Sequence, residues 1–121
     1  MERRYRLAHS GQFQKVRRQG RSWSHPLLVL LVLANDLPYS RFGFLVSKHI
    51  GKAVVRNRVK RLMREAMRAR LSRISPGWDV VTIGREPIVQ ADLRRIGKAL
   101  DSLLQRAELI AKPPEAADVS K

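Results

Sequence analysis

The residues best placed to do chemistry in this chain are arginines. Residues 48 to 73 set ten basic side chains, Lys48, Lys52, Arg56, Arg58, Lys60, Arg61, Arg64, Arg68, Arg70 and Arg73, against one acid, Glu65. Arginine predominates, and its planar fork matches the paired oxygens of a phosphate. The chemistry on offer is recognition of a polyanion. Asn57, inside the same run, adds a donor and an acceptor suited to a base edge, a ribose hydroxyl or a bound water. A solvated structural face normally mixes signs; here only Glu65 stands ready to pair, with Arg61 or Arg68.

Groups that make or break bonds are sparse. His9, His25 and His49 lie far apart, without metal-ligand spacing. Asp36, Asp79, Asp92 and Asp101 fall on separate segments, and Gly51-Lys52 lacks the flanking residues of a P-loop. No catalytic residue is therefore assigned to the protein, and no metal ligand is identified. The chain has no cysteine, which excludes disulfides and thiolate metal sites.

Bulk charge agrees with polyanion binding. The 121 residues carry 25 Lys+Arg and 10 Asp+Glu, a formal charge of +15. Such an excess repels itself in a compact state unless an anionic partner neutralises it, and nucleic acid is the leading candidate. A membrane is not. The longest apolar run, Leu27 to Ala34, has eight residues, against the roughly 20 a spanning helix needs. The amino-terminal "MERRYR" leads into no apolar segment of a secretory signal. A cytoplasmic protein is expected.

The elements that must position these residues can be read from periodicity. Val55, Val59, Leu62, Met63, Ala66 and Met67 fall within an arc of about 140° on a helix, starting near Ala53 and ending by Leu71 or Arg73. Asn57, Arg61, Arg64 and Arg68 fall on the opposite side, with Arg58 beside them and Lys60 near the other edge. One helix thus carries a core face and a cationic face. An earlier helix is expected in "HSGQFQKVRRQG", with Ser10 as N-cap and Gly20 as stop. "PLLVLLVLA" and "RFGFLVS" read as strands, antiparallel across the turn "NDLPYS". "WDVVTIG", Trp78 to Gly84, is a third strand, and Arg21 to Ser24 a candidate fourth. Leu93, Ile96, Leu100, Leu103 and Leu104 mark an amphipathic helix over 91–108, with Asp92 in its first turn. Phe42 and Phe44 share one strand face, and at least one is expected in the core. The pattern describes a small α/β sheet with helices packed on it as an α+β sandwich. It forms one domain over 1–110, and "AKPPEAADVSK", 111–121, reads as a disordered tail. A basic helix set between strands does not suit a DNA-binding helix-turn-helix.

The stretch Arg41 to Arg68 resembles the protein subunit of bacterial ribonuclease P. The resemblance rests on Val46-Ser47-Lys48, Ile50-Gly51, Ala53-Val54, Arg56-Asn57-Arg58, Lys60-Arg61 and Arg64-Glu65. It extends from Arg6-Leu7 and Phe13 to Val16, through "WDVVTIGR", to the last helix. It implies the order α-β-β-β-α-β-α, with a left-handed βαβ crossover carrying the basic helix. It implies a role in removing the 5′ leader of precursor tRNA, with the hydrolysis performed by the RNA subunit and Mg2+ there. Lys48, Lys52, Arg56, Asn57, Arg58, Lys60, Arg61, Arg64 and Arg68 would bind that RNA. The first helix and the sheet would form a leader cleft with Phe13, Arg17 and Leu31. Some members carry aromatics where this chain has Arg17 and Leu31, so the cleft should lean on charge and apolar contact more than on stacking. No protein oligomer is implied. The other reading of the residues is a ribosomal or other structural RNA-binding protein of similar topology.

Overall fold

The computed structural model describes residues 3–7 and 9–110; the tail expected over 111–121 lies outside them. Helix α1 is Ser10–Gln19, followed by strands β1 (Arg21–Ser24), β2 (Leu28–Ala34) and β3 (Arg41–Val46), helix α2 (Ala53–Arg68), strand β4 (Trp78–Gly84) and helix α3 (Leu93–Arg106). The order is the expected one.

Local chemistry sets most boundaries within a residue or two of the expected ones, the exception being the end of α2, expected at Leu71 or Arg73. His9, not Ser10, occupies the cap of α1, and its backbone N–H donates to Gln12 Oε1 at 3.3 Å. Asp92 caps α3, its carboxylate accepting from the Arg95 N–H at 2.9 Å. Helix α2 stops at Arg68, and a 3-10 turn, Leu71–Arg73, follows it.

The strands form one mixed sheet in the order β1-β2-β4-β3. β2 pairs antiparallel with β1 and β4, and β3 pairs parallel with β4. The hairpin expected between β2 and β3 is thus corrected: the two run in opposite directions, but β4 lies between them. Residues 35–40 bridge two strand spacings, roughly 10 Å, which a six-residue link spans and a tight hairpin turn does not. Side chains and backbone of the link bind β4 along the way. The Asn35 N–H donates to the Gly77 carbonyl at 2.9 Å. The Trp78 N–H donates to Ser40 Oγ at 3.0 Å. Arg41 forms a two-pronged ion pair with Asp79 (2.8 and 2.7 Å), and Asn35 Nδ2 donates to the same carboxylate at 2.9 Å. That pairing raises the Arg41 pKa, the hydrogen bond to Asp79 being the main cause.

Strand alternation then sorts the apolar residues onto two faces. Leu28, Leu30, Val32, Phe42 and Val80 meet α2 and α3 in the main core, with Val59, Met63, Ala66 and Met67 of α2 and Ile96, Leu100, Leu103 and Leu104 of α3. The predicted apolar stripe of α2 is this contact, with Val55 and Leu62 at its half-buried margins. Leu31 and Val81 face the other way and pack with Leu7 and Val16 beneath α1. The helices α2 and α3 approach closely at Gly97, where a Cβ would lie 2.6 Å from Arg70 Nη2.

Candidate nucleic-acid interface

Helix α2 presents two chemistries because its sequence has two periodic sets. With the apolar set buried, Asn57, Arg58, Arg61 and Arg68 are left exposed, while Arg56, Lys60 and Arg64 are half-buried at the flanks. Glu65 does not pair with Arg61 or Arg68, so the one local compensation the sequence offers is not made. Arg64, read from sequence as opposite the core, leans across the seam with β3, its guanidinium 5.8 Å from the Phe44 ring centroid. Long arginines reach over a helix shoulder in this way, covering apolar surface while the charge stays wet. Arg56 Nη1 donates to the Gly51 carbonyl at 3.0 Å, and Arg58 Nη1 to the Val89 carbonyl at 3.2 Å. These bonds orient the two side chains without neutralising them.

The start of α2 concentrates positive potential further. Lys52 occupies the cap, no side chain caps the exposed N–H groups, and the first turn holds no acid. The partial positive end of the helix dipole therefore adds to Lys52 and Arg56. Lys48, in the 3-10 turn Lys48–Ile50, is exposed beside His49, whose Nδ1 lies 2.7 Å from Ser47 Oγ. Val54, 79% exposed in the same turn of α2, offers an apolar contact among the cations. Exposed or half-buried cations thus recur from Lys48 to Arg68.

Two of the ten cations counted in this segment serve the fold. Arg70 donates to both oxygens of Asp101 (2.6 and 3.2 Å) and to the Ala66 carbonyl (2.8 Å), tying the end of α2 to α3. Arg73 reaches Asp101 at 3.4 Å. Sequence periodicity around a single helix carries no signal for such a contact, because Asp101 lies 31 residues from Arg70 and 28 from Arg73.

The second surface lies on the opposite face of the sheet. Helix α1 is ten residues long and covers only part of that face. Phe13 is half-buried, with its ring laid on Gly43, where any Cβ would overlap it. Arg17, one turn further along α1, is exposed, and Leu31 is buried in the floor. Structure thus brings Phe13 and Leu31 to one apolar cluster; no contact joins Arg17, four residues after Phe13 on α1, to it. The rest of the floor was not singled out from sequence: Val29, Leu33, Leu45 and Ile83 are half-buried on this face. The result is a half-buried apolar surface beside α1, which carries Lys15, Arg17 and Arg18 exposed. Phe42 and Phe44 point to the other side, Phe42 as core and Phe44 beneath Arg64, so neither lines this surface.

Among the described residues no three His, Cys, Asp or Glu side chains gather at a point. No helix of these residues is long and apolar enough to cross a membrane.

Comparison with known proteins matches this architecture. The family model for ribonuclease P fits residues 1–108. The ribonuclease P protein component of Roseiflexus castenholzii is 43% identical over 111 residues, covering 91% of each chain. That of Herpetosiphon aurantiacus is 46% identical over 109 residues, covering 90% of this chain and 89% of the other. Among solved structures, the Staphylococcus aureus RNase P protein superposes with a TM-score of 0.81 at 30% identity, over 88% of this chain and 98% of that one. The Thermotoga maritima RNase P protein gives 0.77 at 32% identity, over 84% and 96%. With fold, basic helix and nearly full-length similarity in agreement, the chain belongs to the family of bacterial ribonuclease P protein components.

Proposed function

We propose that the two surfaces divide the work of this ribonuclease P subunit: the cationic face of α2 grips the catalytic RNA, and the apolar surface beside α1 holds the 5′ leader of precursor tRNA. The observation that carries the reading is the cationic face from Lys48 to Arg68, which has no carboxylate partner among the described residues. Lys48, Lys52, Arg56, Arg58, Lys60, Arg61, Arg64 and Arg68 neutralise phosphates of the RNA subunit, and Asn57 takes a base edge or ribose hydroxyl. Phe13 meets a leader base, Leu31 and its neighbours provide an apolar floor, and Arg17 takes the backbone or stacks on a base.

The hydrolysis belongs to the RNA subunit. Magnesium, the divalent ion expected there, does not suit this chain's described residues, which offer scattered acids and a surplus of cations. The protein's contribution is electrostatic and positional. A +15 partner relieves the repulsion between RNA phosphates, so stimulation should be greatest where little metal is present to screen them.

The test is reconstitution. Precursor tRNA is incubated with the protein alone, the RNA subunit alone, and both together, at low magnesium. Cleavage at the mature 5′ end is expected to be strong only with both. Cleavage by an RNA-free protein preparation would overturn the assignment of the chemistry, and an absence of stimulation would overturn the role.

A further inference from the structure

The cationic face of α2 ends beside a small pocket. Helix α2 stops at Arg68, and the 3-10 turn that follows, Leu71–Arg73, contributes Leu71 and Ser72 to the lining of a cavity of about 280 Å3. Tyr5 lines it from the amino-terminal turn, Tyr39 from the link between β2 and β3, and buried Phe42 from β3. Tyr5, Phe42 and Leu71 also border the main core, so the pocket lies on the α2 side of the sheet, away from Phe13.

Its walls are fixed by contacts made outside the cavity. Ser40 Oγ donates to the Ser75 carbonyl at 2.8 Å and accepts from the Trp78 N–H at 3.0 Å, which ties the link to the segment entering β4. The Leu7 N–H donates to the Phe42 carbonyl at 2.9 Å, which holds the amino-terminal segment against β3. Pro38 and Pro76, both in the lining, stiffen their segments. A cavity framed in this way is preformed, as ligand sites usually are.

The lining suits a flat aromatic group. The Tyr5 and Tyr39 rings meet edge to face, with centroids 5.6 Å apart and planes at 76°, so together they offer an incoming ring both a face and an edge. The Arg4 guanidinium lies 4.8 Å from the Tyr5 centroid and 5.9 Å from that of Tyr39, adding a cationic plane. The hydroxyls of Tyr39 and Ser72 form no hydrogen bond with a described residue, and either can pair with the edge of a heterocycle. The volume falls just under the roughly 300 Å3 at which pockets for drug-sized ligands begin. That is room for one base and not for a helix or an extended peptide.

Position indicates which chain supplies the base. The Arg64 guanidinium lies over Phe44, and Phe42 precedes Phe44 by two residues on the same strand face, about 7 Å away. Arg68, one turn beyond Arg64, is exposed, and no acid lines the pocket. A polyanion laid along α2 from Lys52 to Arg68 therefore arrives at this pocket. Cations at the approach take its phosphates, and the tyrosines take a base that has left its stack.

We propose that this pocket receives one unstacked nucleobase of the RNA subunit, with Tyr5 and Tyr39 as its stacking surfaces. This rests on the reading of α2 as the face that grips that RNA, and the test separates the two.

Three variants are compared with wild type. Ser72→Phe places a ring of the protein's own at the pocket, Tyr39→Leu removes an aromatic face, and Tyr39→Phe keeps it. Affinity for the RNA subunit is measured across a range of salt, the RNA subunit is probed with base-specific reagents, and assembled holoenzyme is titrated with precursor and mature tRNA. Ser72→Phe and Tyr39→Leu should each weaken binding of the RNA subunit by about tenfold, a typical worth for stacking one base. Tyr39→Phe should keep most of the affinity. The salt dependence should stay as steep as in wild type, because no phosphate contact is lost, whereas Arg61→Ala should make it shallower by about one counterion. One base of the RNA should be protected by wild type and Tyr39→Phe and reactive with the other two variants, while the rest of the footprint persists. A variant that merely folds badly would lose the whole footprint. Unchanged affinity and footprint with both Ser72→Phe and Tyr39→Leu would overturn the site and leave the pocket to an occupant other than RNA. A loss confined to precursor or mature tRNA would overturn the choice of the RNA subunit. If Arg61→Ala still flattens the salt dependence in either case, the α2 reading stands and the pocket alone falls.

Discussion

The two faces of the sheet are made by alternate residues of the same strands, yet they are finished differently. On one, Leu28, Leu30, Val32, Phe42 and Val80 are closed in by two long helices, and the side chains are almost wholly buried. On the other, α1 seals Leu31 and Val81 but leaves Val29, Leu33, Leu45 and Ile83 half-buried. Apolar surface left in contact with water gains nothing for folding, and a contiguous patch of it marks a binding surface. The difference teaches where each property resides: stability on the α2/α3 side, an accommodating surface on the α1 side. Helix α2 repeats the division on its own circumference, with Met63 and Met67 inward and Arg61 and Arg68 outward.

The sharpest way to break this comparison is to damage the sealed face. Leu100→Ala removes a fully buried side chain and should destabilise the protein by about 2–5 kcal/mol in chemical denaturation. The folded fraction should still bind leader-bearing tRNA normally. A comparable loss from truncating half-buried Ile83 would erase the distinction between the faces. Next in size is Gly43→Ala, which places a methyl where the Phe13 ring lies. It should cost about 1–3 kcal/mol through overpacking and should weaken binding of precursor tRNA by the holoenzyme. Unchanged leader affinity would show that the ring's seat is immaterial. The smallest effect on folding belongs to Arg61→Ala. Exposed and without an ion-pair partner among the described residues, it should shift stability by no more than about 0.5 kcal/mol while lowering affinity for the RNA subunit. A large fall in melting temperature would mean that Arg61 supports the core.

Much of this was legible in the sequence, for identifiable reasons. The phase of α2 follows from Val59, Met63, Ala66 and Met67, whose spacing admits one inward face. β4 was found to the residue because Trp78 and Gly84 bound an apolar run. Strand adjacency was not legible: the link over 35–40 suggests a hairpin, whereas both strands pair with β4, which lies between them. The apolar surface beside α1 was missed for a related reason. "LLVLLVLA" is apolar at every position, so alternation cannot say which residues face α1. Arg70 joined the cationic count because its partner Asp101 lies on another helix.

The central claim is that the leader and the RNA subunit are held on separate surfaces, and Phe13 tests it most directly. Holoenzyme carrying Phe13→Ala is compared with wild type for affinity to leader-bearing precursor tRNA and to mature tRNA at fixed salt. Stacking on an aromatic is worth about 1–3 kcal/mol per base, and the half-buried ring offers only part of its surface. Precursor binding should therefore weaken by no more than about 2 kcal/mol, with mature tRNA unaffected. Equal losses for both ligands would contradict the account, placing Phe13 in the fold or the RNA-subunit contact.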